Sequence, residues 1–222
     1  MSDNRYISLV TRHSSLVTRL LAYATILVAF FLRVYRLADK NVWWDEGWSI
    51  WLSQKDVAWI ALRTAMDEHP PLHYWMLHFW NMVAGTNAFA GRFLSVAFGV
   101  LTIALIYRIG NNLAKVLKPS QGYWIGVLAA LFLATARFHI WWSQDIKNYT
   151  PSIFFAFAAV WFALNQISDF TRSVQISDLS FRNSQSAIRN LICYALCAAL
   201  AMLTHYLAAL VLLALNLYAL II

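Results

Sequence analysis

Charge is what this sequence has least of. Only 12% of its 222 residues are charged, about half the roughly 25% of an ordinary globular chain. So few charges cannot cover a water-facing surface, and 61% of the chain is hydrophobic. Seven glycines and four prolines are too few for a collagen or a disordered segment, and two cysteines are too few for a disulfide scaffold. Cys193 and Cys197 stand four apart inside an apolar run, where no disulfide is expected, and they say nothing of redox compartment. Acid is scarcer than base, with 10 acidic against 17 basic residues and a net charge of +7. A nucleic-acid binder would gather its base on one solvated face. Here the basic residues are scattered between apolar runs, so no nucleic-acid partner is expected and the excess reads as membrane topology. What remains is an all-α polytopic membrane protein.

The apolar runs are Leu16–Leu32, Leu72–Ala84, Phe93–Tyr107, Gly122–Trp142, Pro151–Ile167 and Leu191 to the end. The first is closed by Arg33 and Arg36, and no small-residue cleavage pattern follows it, so it reads as a spanning helix and not a signal peptide. Thirteen residues from Leu72 reach about 20 Å, short of the roughly 30 Å hydrocarbon core. Charge counting agrees. The N-terminus and the stretches 108–118 and 168–190 are basic, and read as cytoplasmic only if 72–84 does not cross. The expectation is five or six spanning helices and two juxtamembrane helices, an amphipathic one over 47–66 and a second over 69–84. The last run exceeds one span and is expected to divide near Thr204-His205-Tyr206. It stops at Ile222 without a polar tail, so residues 1–222 are expected to be one module of a longer membrane domain. The N-terminus is then cytoplasmic, and the 38–90 loop and the turn around Asp145 share the outer face, presumed that of the plasma membrane.

Six of the ten acids fall between Asp39 and Glu68. Asp39, Asp56 and Asp67 are expected to be solvated loop residues. Asp45 differs, because Trp43 and Trp44 precede it and Trp48 follows. An interfacial carboxylate partly stripped of water is a stronger base. The eleven tryptophans suit an interfacial belt better than sugar stacking, and at most one or two would touch a sugar. Asn148-Tyr149-Thr150 is formally a glycosylation sequon, too close to the membrane to be expected to carry a glycan.

Three segments together carry a resemblance: "NVWWDEGWS" with Asp45 and Glu46, "DEHPPLHYW" over 67–75, and "WWSQDIKNY" over 141–149, with Arg92-Phe93-Leu94-Ser95 between the last two. Their order, and the 100 residues from Asp45 to Asp145, resemble the GT-C membrane glycosyltransferases of glycosyltransferase 39 type. These include the dolichyl-phosphate-mannose protein mannosyltransferases and the bacterial aminoarabinose transferases that modify lipid A. The resemblance covers about residues 16–210. It implies transfer, with inversion, of a sugar from a polyprenyl-phosphate donor to a hydroxyl of a protein, lipid or glycan acceptor. Asp45 matches the catalytic acid, with Glu46 supporting it or orienting the acceptor, and Asp145 matches the acid facing the donor sugar. The leaving phosphate needs cations, and Lys147 is the best placed, with Arg92 and Arg137 behind it. Many relatives have Arg where Lys147 stands, and lysine lacks the bidentate fork. Asp45, Glu46 and Asp145 are all expected to face an outer cavity. His69 belongs to the His-Pro-Pro-Leu motif, whose prolines are expected to fix the angle between surface helices. The resemblance admits His69 as a phosphate contact or, with Glu68, as a ligand of a divalent metal; His69, His73 and His78 read from the residues alone are interfacial. For His205 a cavity-facing and a packing role fit equally. A lipid-linked-sugar transporter is the rival reading and would need broken mid-membrane helices, whereas these runs are nearly unbroken. A non-catalytic scaffold is the other, and a glycosidase would need no membrane.

Overall fold

The computed structural model describes residues 3–117, 122–175 and 181–221. Among these residues there are ten helices and no strand. Helix α1 (Asp3–Val34) leads to three short helices, α2 (Trp44–Ser53), α3 (Val57–Thr64) and α4 (Leu72–Ala84). Then come α5 (Ala88–Leu117), α6 (Gly122–Thr135), α7 (Arg137–Ser143), α8 (Tyr149–Gln175), α9 (Phe181–Thr204) and α10 (Ala208–Ile221). Four stretches are long and apolar enough to cross a membrane: Leu16–Val34, Ala88–Leu113, Tyr149–Ile167 and Gln185–Thr204. A fifth is the bent pair α6–α7, and α10 is a shorter apolar helix. The molecule is a multi-pass, all-α membrane protein.

The surface layer differs from expectation in one respect. The amphipathic stretch 47–66 is two helices, because Asp56 accepts a hydrogen bond from the Trp59 amide and caps α3 at 2.8 Å. Asp56 is therefore an N-cap as well as an exposed loop residue. Helix α4 begins after Pro71 and ends at Gly85, whose φ of +83° suits glycine. Leu52, Ile60 and Tyr74 bury one face of each short helix in a common core with Trp48 and Trp75. Among the described residues, the basic stretches 108–118 and 168–190 are taken up by the ends of α5, α8 and α9; Lys118, Ser120 and residues 176–180 lie outside the described residues.

In the membrane layer α5 packs on α1, α6 and α8, and α8 packs on α9. Ala29, Ile103, Ala130 and Ala134 join α1, α5 and α6 in a core of small side chains. Where α5 meets α6 the backbones nearly touch: a Cβ on Gly110 would lie 2.8 Å from the Gly126 Cα. Close approach through small residues is how helices associate where water supplies no driving force. The expected run 191–222 divides at His205, Tyr206 and Leu207 into α9 and α10.

The run 122–142, expected to be continuous, bends by 62° at Ala136. No proline or glycine stands there. The bend is filled by Arg33, which the sequence presents as a flanking charge and the structure buries completely. Its guanidinium donates to the carbonyls of Leu133 and Ala134 at the end of α6, and to the Ala29 carbonyl and the Ser143 hydroxyl. Its Nη2 also meets His139 Nδ1 at 2.7 Å. Gly99 makes room, since a Cβ there would come within 2.4 Å of Ser143 Oγ. In return the Gln144 amide donates to the carbonyls of Leu32, Arg33 and Tyr35 at the end of α1. Arg33 of α1 thus caps the end of α6, Gln144 after α7 caps the end of α1, and α7 delivers the turn that carries Asp145.

Candidate active site

The first turn of α2 places Asp45 and Glu46 side by side, at the helix end whose dipole favours negative charge. They diverge. Asp45 points outward with its side chain 40% exposed, and Glu46 turns fully inward. There the Arg92 guanidinium grips Glu46 bidentately, Nε to Oε1 at 2.8 Å and Nη2 to Oε2 at 2.7 Å. The remaining Arg92 donors go to the carbonyls of Leu37, Lys40 and Asn41. Glu46 Oε1 also accepts from the Ile146 amide at 3.1 Å. The expectations that Glu46 faces a cavity and that Arg92 stands behind Lys147 for a phosphate both meet a different geometry. The two form a buried pair that ties the α1–α2 loop to α5 and to the Asp145 turn, with every Arg92 donor engaged.

That turn, 144–148, joins α7 to α8 and returns the second acid. Asp145 is nearly buried, and its Oδ1 is paired with Lys40 while its Oδ2 has no partner. Burial pushes the Asp145 carboxyl above the usual carboxylate range, with Lys40 opposing the shift. Lys147 reaches back to Asp45, Nζ to Oδ2 at 3.0 Å, beneath the Trp43 ring. The turn is held from α5: Ser95 Oγ donates to the Lys147 carbonyl, and Thr150 Oγ1 donates to the Ser95 carbonyl. Gly91 leaves room for Ile146, whose Cδ1 would lie 2.6 Å from a Cβ there. The first and third motifs therefore meet: Asp45 with Lys147, Asp145 with Lys40, and Glu46–Arg92 beneath both.

The remaining expected residues lie at the margin. Arg137 is exposed at the start of α7 and forms no ion pair among the described residues. Glu68 is exposed, and His69 stacks edgewise on His205 with ring centroids 6.0 Å apart. His205 in turn meets Tyr149, and Tyr149 meets Trp142. The break between α9 and α10 thus faces the His-Pro-Pro-Leu segment. Among the described residues no three His, Cys, Asp or Glu side chains gather in metal-holding geometry. Asp39 pairs with Arg36, and Asp67 lies 4.0 Å from both Arg63 and His69. Asn148, the sequon residue, is buried and donates to the Thr204 carbonyl.

His73 is buried under Lys147, against the Ile146 peptide but without a hydrogen bond of ordinary geometry at either ring nitrogen. Burial first, then Lys147 and His69, lower its pKa to about 3. An unfolded histidine titrates near 6.5, so between those values unfolding takes up a proton. Stability is full above about pH 6.5 and falls as pH drops toward 3. Thermal unfolding of a His73→Leu variant should show a shallower decline over that window. An unchanged slope would remove His73 as its source.

Two site residues escape sequence reading. Lys40 lines a cleft of about 480 Å³ with Leu32, Tyr35, Ile140 and Gln144, and its signal was a base five positions before Asp45. Arg33, two helices away from the acids, has no local signal beyond its charge.

The sequence profile described as dolichyl-phosphate-mannose-protein mannosyltransferase matches residues 68–222. The chain belongs to that family. The matched segment contributes His69, Arg92, Asp145 and Lys147; Asp45 and Glu46 precede it and are joined to it by the ion pairs above. No curated protein and no solved structure matches the chain significantly. Membership supports glycosyl transfer at family level, with a lipid-linked sugar donor and a protein or glycan acceptor in general terms.

Proposed function

We propose that this mannosyltransferase-family chain transfers a sugar from a polyprenyl-phosphate carrier to an acceptor hydroxyl, with Asp45 as general base. The observation that carries the reading is the meeting of Asp45 with Lys147 across about a hundred residues of sequence. In an inverting displacement the base and the phosphate-binding cation serve opposite sides of one anomeric carbon, so both must lie within reach of a single bound sugar. Asp45 takes the hydroxyl proton. The acceptor oxygen attacks the anomeric carbon from the face opposite the phosphate. The carbon–oxygen bond to phosphate breaks, and the polyprenyl phosphate leaves with the electron pair. The phosphate is already a good leaving group, so no strong acid is required. Lys147 exchanges Asp45 for the phosphate oxygens as donor binds, which leaves the carboxylate to the acceptor. Asp145, with one oxygen unpartnered, faces the donor sugar. Glu46 and Arg92 hold the two acids in register, and His69 is a second contact for the phosphate or, with Glu68, for a divalent ion.

The test is transfer from polyprenyl-phosphate mannose. Lys147→Ala should raise the KM for donor, and Lys147→Arg should retain or improve it, since a guanidinium can grip phosphate bidentately. Equal donor kinetics for Ala and wild type would take Lys147 out of the site.

The bend at Ala136 favours a second reading, since broken spans mark transporters. The carbonyls at the bend, however, are occupied by Arg33, which speaks for a packed joint over a substrate site. For orientation we infer that the acids lie on the outer face of the plasma membrane. Ser53 and Ser143 are buried, so probes belong on their exposed neighbours. With Cys193 and Cys197 replaced by serine, Gln54→Cys and Trp141→Cys should react with an impermeant thiol reagent added outside, and Ser120→Cys should not. Outside labelling at position 120 would reverse the orientation.

A further inference from the structure

We propose that the indole-lined groove beside Asp45 docks a sugar ring of a neutral glycan acceptor, stacked on Trp44 with Trp51 forming part of the groove wall. The inference rests on the transferase reading for its chemistry and names the acceptor class. The groove holds about 480 Å³ and is lined by Val42, Trp43, Trp44, Gly47, Trp48 and Trp51. That volume lies within the roughly 300–1,000 Å³ of small-molecule sites.

Four observations point to a sugar. First, Trp44, Trp48 and Trp51 recur at helical spacing on one face of α2, so their rings form a continuous wall. Asp45 stands next to that wall, where an acceptor hydroxyl must arrive. Second, the wall is braced. Trp48 and Trp51 lie 5.0 Å apart at 31°, Lys55 sits over Trp51 at 4.8 Å, and Arg63 sits over Trp48 at 5.1 Å. Trp59 meets the edge of Trp51. Rings fixed in this way lose little freedom when a ligand stacks on them. Third, no charged side chain lines the groove, which suits a neutral ligand with apolar C–H faces. Fourth, the wall is one helix whose amides bond internally from Gly47 onward. It offers ring faces and no row of main-chain partners, which an extended peptide would need. Gly47 keeps the floor open, with nothing within 4 Å of where a Cβ would stand. Trp43 belongs both to the groove and to the Lys147 contact, so the groove runs into the site.

The experiment is saturation-transfer NMR of methyl α-mannobioside with the full chain in phosphatidylcholine nanodiscs, and a serine-containing peptide as competitor. Transfer should reach the sugar C–H protons. Trp44→Ala and Trp51→Ala should each weaken binding by about 2–12-fold, the factor an aromatic contact is worth. Trp51→Phe should lose less, and Trp124→Ala on α6 should lose nothing. Trp44 is 84% exposed, so its removal leaves the fold intact. No sugar signal in the wild type, or a signal indifferent to Trp44 and Trp51, overturns the proposal. So does binding of the peptide in place of the sugar, or quenching of the groove tryptophans by brominated lipid that sugar does not relieve. Asp45→Asn should bind the sugar as wild type does. Sugar binding without transfer therefore counts against the base, and transfer without sugar binding counts against the groove.

Discussion

Asp45→Asn should slow sugar transfer by about 10²–10⁴-fold, roughly 3–5 kcal/mol of barrier, the usual worth of a positioned general base. Asparagine keeps the size and one acceptor oxygen but cannot take the proton. The fold should persist, because the Asp45 side chain is 40% exposed and its partner Lys147 can turn toward solvent or donor. Donor KM should change little while kcat falls. Measuring both at saturating acceptor makes the distinction. If Asp45→Asn transferred at the wild-type rate, the outer carboxylate would be a loop residue, and a transporter or scaffold reading would take over. Asp145→Asn should impair donor use more than acceptor use.

Glu46→Gln and Arg92→Met should each destabilise the protein by about 3–5 kcal/mol, because each leaves a buried charge without its partner. Both side chains are completely buried. The sequence-based expectation that Glu46 tolerates change as a cavity residue is revised accordingly. Arg92→Met also strips three loop carbonyls of their donor, so it should be the more damaging of the two. Thermal unfolding in detergent, with transfer measured on the folded fraction, separates the effects. A Glu46→Gln protein that unfolds like wild type yet has lost transfer would give Glu46 a direct chemical role. Equal stability for both variants and wild type would mean that the pair contributes nothing to the fold.

The sequence made legible whatever depends on runs and their punctuation. The short helix over 72–84 follows from its length and its flanking proline and glycine, and α4 has those bounds. The division at His205 follows from a run too long for one span. The convergence of Asp45 and Asp145 was read from motif order. What stayed hidden depends on partners far apart in sequence. Arg33 and Arg92 looked like flanking and phosphate-binding charges, because a buried arginine differs from an exposed one only by the carbonyls around it. The bend at Ala136 has no proline or glycine to announce it, since its cause is a guanidinium contributed by α1. Lys40 was one base among several in an acidic loop. The cap at Asp56 was the one local signal available and unused, an acid three residues before the amide it binds.

The reciprocal capping of α1 and the α6–α7 pair sets an order of assembly. Helix α1 is made first, and an arginine near the end of a lone span stays at the headgroups, where its charge is hydrated. Its carbonyl and imidazole partners are synthesised about 100 residues later. Only when α6 and α7 arrive can Arg33 leave the lipid surface and be enclosed. At that moment Gln144 closes the end of α1, and the adjoining Asp145 is drawn to Lys40. The second carboxylate is thus brought to the site by the same event that completes the first span. A chain halted before Gly122 should leave Arg33 open to a water-soluble arginine reagent, and one released after Asn148 should protect it.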